Sequence, residues 1–220
     1  MSLTRAKVKS AIKKSFVRKL LDLGFETRKD ALGAYRIRGK FVDVVSIQIG
    51  RSPGSLYLHF FSNLVVDPFT NLLNSVTFGK RLMGNENGGM SWIADQELEL
   101  TPMLDRIWQA VEDCAFPFFE NLQNIYDYER ELEVVQEGRP YPLALALTYA
   151  ATQKYENAKS LLLSIRERLI SSESYDFEQN NEDIVLLENL DKLIRGVQEG
   201  NIDKLLDSWE RQNIKALSGE

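Results

Sequence analysis

Between residues 34 and 66 apolar side chains recur at alternate positions, whereas before that stretch and again from residue 101 they recur every three or four. A strand turns alternate residues to one face, and a helix turns i, i+3, i+4 and i+7, so this order of periods dictates helix, then sheet, then helices. The fold class expected is α+β: an antiparallel meander sheet of three to five strands with flanking helices and an all-helical C-terminal extension.

The opening helical stretch, residues 4–23, spaces Val8, Ile12, Phe16 and Leu20 by four and widens the stripe with Ala11, Val17 and Leu21, leaving lysines and arginines on the other side. Gly24 is a natural C-cap. Residues 34–38 alternate Tyr35 and Ile37 with Arg36 and Arg38, and Gly39-Lys40 suits a two-residue hairpin turn. Residues 42–49 are β-branched, with Val45, Ile47 and Ile49 on one face. After Gly50-Arg51-Ser52-Pro53-Gly54, a third run at 56–66 sets Leu56, Leu58 and Phe60 against Tyr57, His59 and Phe61. That second face is partly aromatic and needs a cover, for which the opening helix is one candidate. Residues 75–82 and 91–94 read as two further short strands around a glycine- and asparagine-rich turn at 84–89.

From Thr101 the period is helical. Thr101 and Pro102 suit an N-cap and first helical position, and Leu104, Ile107, Trp108, Val111 and Cys114 form the stripe to be buried, which makes Cys114 a core thiol. Pro117 is expected to end that helix and open another through Phe118, Leu122, Ile125 and Leu132. Asp127, Glu129, Glu131 and Glu133 read as a solvated acidic face. Gly138-Arg139-Pro140 interrupts the pattern and separates an α+β domain, 1–137, from a helical extension, 138–220. Two helix pairs fill the extension: 141–152 with 156–170, and 181–198 with 202–217.

One cysteine and one histidine cannot assemble a tetrahedral nitrogen and sulfur site, and no phosphate-binding loop or dinucleotide fingerprint occurs, so no metal and no cofactor is expected. His59, mid-strand beside aromatic neighbours, reads as structural, and no catalytic residue is assigned. No run of apolar residues is long enough to span a membrane. The lone cysteine and the lack of a secretory h-region point to a cytoplasmic protein.

The net charge of −5 conceals a division: residues 1–40 hold twelve Lys/Arg against three Asp/Glu, and the remainder fifteen against twenty-nine. The basic part supplies a candidate surface for a partner or an anion, for which Lys9, Lys13, Arg36, Arg38 and Arg81 are the residues chosen.

Leu145, Ala146 and Tyr149, then Ala158 and Leu162, resemble the spacing of a single tetratricopeptide repeat, although Pro142 and Ile170 depart from its pattern. Leu23-Gly24-Phe25 after a basic helix, Tyr35-Arg36-Ile37 leading to Phe41-Val42-Asp43-Val44-Val45-Ser46-Ile47-Gln48, residues 56–61, Trp92 and Phe116-Pro117-Phe118 resemble the bacterial domain-of-unknown-function 4304 family over the N-terminal two thirds. That resemblance implies a fold and a bacterial cytoplasmic setting, with no catalytic chemistry. The function expected is a non-enzymatic protein-interaction module, immunity- or adaptor-like, with an unidentified protein partner. The alternatives are a carboxylate-dependent hydrolase with Arg36, Arg38 or Arg81 as anion clamps, and nucleic-acid binding through the basic helix.

Overall fold

The computed structural model describes residues 3–29, 31–69, 72–73, 78–82, 92–136, 142–171 and 181–219. The chain packs as two compact units, Met1–Asn63 with Phe78–Asn121, and Leu64–Thr77 with Leu122–Glu220. The expected boundary at Gly138-Arg139-Pro140 lies outside the described residues, as does the turn at 84–89. The division falls instead after Asn121, and residues 64–77 join the helical unit.

In the first unit, helix α1 (Arg5–Ala11) runs through a π-helical turn (Ile12–Val17) into α2 (Arg18–Asp22). Thr4 caps the start by accepting from the Lys7 N–H, and Gly24, at φ +82°, lets the chain leave in the left-handed conformation that other residues resist. Within the π turn Ser15 Oγ donates to the Ala11 carbonyl at 2.8 Å, occupying the acceptor that an α-helical ladder would give to its own N–H. The wider turn puts Phe16 and Val17, consecutive in sequence, both into the core.

The sheet is built from β1 (Gly33–Arg38), β2 (Phe41–Ile49), β3 (Ser55–Leu64), β4 (Phe78–Leu82) and β5 (Trp92–Ile93). Its order is β1-β2-β3-β4, with β5 also on β3, which confirms the α+β meander. Gly39, at φ +59°, closes the two-residue hairpin and pairs Arg38 with Phe41, which sets Arg36 opposite Asp43 and Ala34 opposite Val45. β4 and β5 run antiparallel to successive parts of β3, Leu58 opposite Leu82 and Leu56 opposite Trp92.

The opening helix covers the aliphatic face of the sheet and not the aromatic one. Val8, Ile12, Phe16, Val17 and Leu20 share a core with Ala34, Val45, Ile47, Leu56, Leu58 and Phe60. The apolar helix stripe meets the aliphatic part of that face, while Arg36, Arg38, Asp43 and Ser62 lie on the same face and bond one another, so their polar groups are satisfied without the helix.

Helix α3 (Glu97–Ala110) begins four residues before Thr101, so Thr101 is not its N-cap. Glu99 does that work: its carboxylate accepts from the Asp95 and Gln96 N–H groups at 2.7 and 3.1 Å. Pro102 consequently lies within the helix. Pro117 does not end it either. A second π turn (Val111–Ala115) leads into α4 (Phe116–Asn121), and the altered hydrogen bonding just before Pro117 accommodates its missing N–H.

That π turn also overturns the burial expected for Cys114. Adding one residue to the turn rotates the following positions by about 100°, so Ala115 and Phe119 continue the buried stripe from Val111 and Cys114 faces solvent.

The second unit contains α5 (Ile125–Gln136), α6 (Pro142–Ala151), α7 (Tyr155–Ser171), α8 (Asn181–Glu199) and α9 (Ile202–Ser218), each packed on the next, with α6 also against α9. Asn124 caps α5 by accepting from the Tyr126 and Asp127 N–H groups, which separates α5 from α4. Ala146, Ala158 and Leu162 are fully buried where α6 and α7 form the hairpin expected of them. Asn213 of α9 donates to the carbonyls of Val65 and Asp67, and the Phe69 ring lies edge-on to Trp209, which ties residues 65–69 to these helices. Among the described residues no helix is long and apolar enough to cross a membrane.

The exposed thiol gives a direct check: Cys114 in the native protein reacts with Ellman's reagent at the rate of the urea-unfolded chain. Protection by about tenfold or more would restore it to the core.

Candidate functional site

The five residues singled out from sequence fall into three groups. Lys9 and Lys13 lie one turn apart on the solvent side of the α1–α2 helix, together with Lys14 and Arg18. Arg36 and Arg38 point together at one buried carboxylate. Arg81 lies in β4 opposite His59, itself half-buried in β3.

Arg36 and Arg38 leave the same face of β1, two residues apart, and the hairpin register brings Asp43 between them. Asp43 is completely buried; Arg36 Nε donates to its Oδ2 at 3.1 Å, Arg38 Nε to Oδ2 at 2.9 Å and Arg38 Nη2 to Oδ1 at 3.3 Å. Ser62 Oγ of β3 adds a bond of 2.6 Å to Oδ1. A carboxylate has about four acceptor sites, so these four bonds leave no lone pair for a general base. The Arg38 fork also donates to the Phe119 carbonyl at 2.9 Å, one of the carbonyls that the end of α4 cannot satisfy internally. The guanidinium of Arg36 lies 4.8 Å from the Phe25 ring centroid and that of Arg38 lies 5.3 Å from Phe41. The anion these arginines hold is the chain's own.

The basic helix is docked at several points. Lys7 pairs with Glu97 at 2.6 Å and Lys19 with Asp105 at 3.4 Å, both on α3, while Arg5 donates to the carbonyls of Gly50 and Arg51 in the β2–β3 turn. These pairs are half-exposed and contribute about 0.2–1 kcal/mol each, so apolar burial holds the helix and the ion pairs orient it. Beside the exposed cations the helix and the following segment enclose a cleft of about 420 Å³, lined by Lys13, Val17, Leu21, Thr27, Arg28, Lys29 and Ala31. A second cleft, of about 400 Å³, is lined by Arg5, Gln48, Ile49, Gly50, Arg51 and Tyr57. Among the described residues neither cleft is lined by a carboxylate. Among the described residues no group of three or more His, Cys, Asp or Glu side chains converges to hold a metal ion.

The expected acidic face of α5 is not uniformly solvated. Asp127 caps its own helix by accepting from the Gln123 and Asn124 N–H groups, and Glu129 is buried, accepting from Thr152 Oγ1 at 2.6 Å and pairing with Lys154. The bond to Glu129 raises the Lys154 pKa above its usual value. Glu133 accepts from the Tyr149 hydroxyl at 2.9 Å, so α5 is tied to α6 and to the α6–α7 turn. Glu129 alone of the four is turned inward, where α6 packs on α5, while Glu131 and Glu133 stay exposed. Burial, followed by that bond to Glu133, pushes the Tyr149 pKa up to about 12.

Comparison with family models, with curated proteins and with solved structures returns no match.

Two outcomes follow from these clusters. Asp43→Ala leaves two guanidinium groups facing a buried gap, and a loss of about 3 kcal/mol in urea unfolding is expected; a loss below about 1 kcal/mol would show that the cluster does not hold the sheet. Tyr149 has its hydroxyl protonated in the fold beyond the unfolded value of 10.0, so its contribution to stability is full below pH 10 and disappears as pH rises towards 12. Tyr35 is also shifted upward, so absorbance at 295 nm should show more than one late-ionising tyrosine, of which Tyr149→Phe removes one.

Proposed function

We propose that the chain is a non-enzymatic binding module that recognises an acidic protein surface through the basic face of α1–α2. One observation carries this reading. Lys9, Lys13, Lys14 and Arg18 are exposed on a helix whose opposite side is buried at Val8, Ile12, Phe16 and Leu20, so the charges are presented on a rigid, fixed support. The first unit holds sixteen Lys/Arg against twelve Asp/Glu, and the second eleven against twenty, which keeps this positive surface local in a chain that is acidic as a whole. The bacterial cytoplasmic setting that the family resemblance implies, and an immunity- or adaptor-like role suggested by the charge division, belong to the same proposal.

Of Arg36, Arg38 and Arg81, which the hydrolase alternative would use as anion clamps, the first two are engaged by Asp43. Phosphate would also suit the exposed cations, yet Phe16, the aromatic residue of this helix, is buried and offers no platform for stacking a base. The protein partner is therefore preferred.

The test is affinity purification from the native host with the wild-type chain and with Lys9→Glu, Lys13→Glu, Lys14→Glu and Arg18→Glu combined. The same acidic partner should be recovered with wild type and about tenfold less with the variant, at unchanged melting temperature. Equal recovery by both chains sinks the proposal, and recovery abolished by nuclease transfers it to nucleic acid.

A further inference from the structure

The cleft beside the exposed cations has a composition that a general basic surface does not require. Its floor is apolar, made by Val17, Leu21 and Ala31, and its rim is cationic, made by Lys13, Arg28 and Lys29. Val17 is buried while Leu21 retains 36% of its surface exposed, so the floor is reachable from solvent at one end. The far wall is held in place: Thr27 Oγ1 donates to the Gly33 carbonyl at 2.8 Å, and the Ala31 N–H donates to the Arg28 carbonyl at 3.1 Å, closing a turn. A wall fixed before binding costs a ligand little ordering entropy.

We infer that this cleft seats a short acidic segment of a protein partner, an apolar side chain lying on Val17, Leu21 and Ala31 and a neighbouring carboxylate reaching Arg28 and Lys29. The inference rests on the proposed function and names its ligand class. At about 420 Å³ the space falls in the range of roughly 300–1,000 Å³ typical of small-ligand sites, which suits a few side chains and not an extended surface. A guanidinium and two ammonium groups complement carboxylates, the guanidinium by a two-point contact. A nucleotide base would stack on an aromatic side chain, and none of the described lining residues is aromatic.

The test uses the full chain, ¹⁵N-labelled, titrated with acetyl-Glu-Leu-Glu-Leu-Glu-amide. Two control peptides replace either all Glu by Gln or all Leu by Ser. The first peptide should shift the amides of Val17, Leu21, Thr27, Arg28, Lys29 and Ala31 saturably, and each control should bind about tenfold more weakly. Lys29→Glu should abolish the shifts, and Leu21→Ser should reduce the first peptide to the level of the Ser control, with melting temperatures showing that both variants fold. Equal binding of the Ser peptide, shifts that cluster elsewhere, or no shift at millimolar peptide overturns the inference, as does binding to phosphatidylserine vesicles that the peptide cannot displace. If the peptide fails while the combined reversal still removes a partner, the cleft assignment alone falls. If both fail, the proposed function falls with it.

Discussion

A single buried carboxylate organises one end of the first unit. Asp43 receives donors from both arginines of β1 and from Ser62 of β3, and Arg38 continues to the carbonyl end of α4. Taking a charge out of water costs several kcal/mol, and filling every acceptor site offsets that cost only in one arrangement of the strands. A slip of β1 by one residue would turn the arginines to the opposite face and leave Asp43 buried without partners, so the cluster enforces the hairpin register that Gly39 initiates. It thereby sets which strand faces meet the helices.

Those helices use a second device. The α1–α2 and α3–α4 stretches each contain a π turn, and the first packs against α3. An extra residue in a turn rotates everything after it relative to a regular helix. In the first helix the result is two adjacent core residues, Phe16 and Val17, while Lys13 and Lys14 remain in solvent. In the second it carries the stripe to Ala115 and Phe119 and brings Phe118 and Phe119 edge-on to Phe60. The same packing that holds the sheet thus decides where the cations are displayed.

The functional reading combines these consequences. Arg36 and Arg38, which a sequence search would choose as anion receptors, are engaged in holding the fold, while Lys9, Lys13, Lys14 and Arg18 are exposed together on one helix. Their support is rigid, because the helix is anchored by a continuous apolar stripe and oriented by pairs to Glu97 and Asp105. A rigid basic face with an apolar-floored cleft favours selection by charge and shape together, and that combination distinguishes partners better than charge alone.

Period and turn chemistry, being local, were legible in the residues themselves: the α+β order of elements, the Gly39-Lys40 hairpin, the Gly24 cap and the C-terminal helical pairs all follow from spacing within a few positions. The Arg36–Asp43 pair was also within reach, since a two-residue turn at Gly39-Lys40 counts outward to place 36 opposite 43. Other features depend on contacts far apart in the chain. The face chosen by the opening helix, the exposure of Cys114, the burial of Glu129 by α6 and the assembly of Lys13 with Arg28 and Lys29 around one cleft arise when separate elements pack. A periodic pattern states which residues seek burial; only packing states against what, and two π turns shift the pattern where no local residue type announces them.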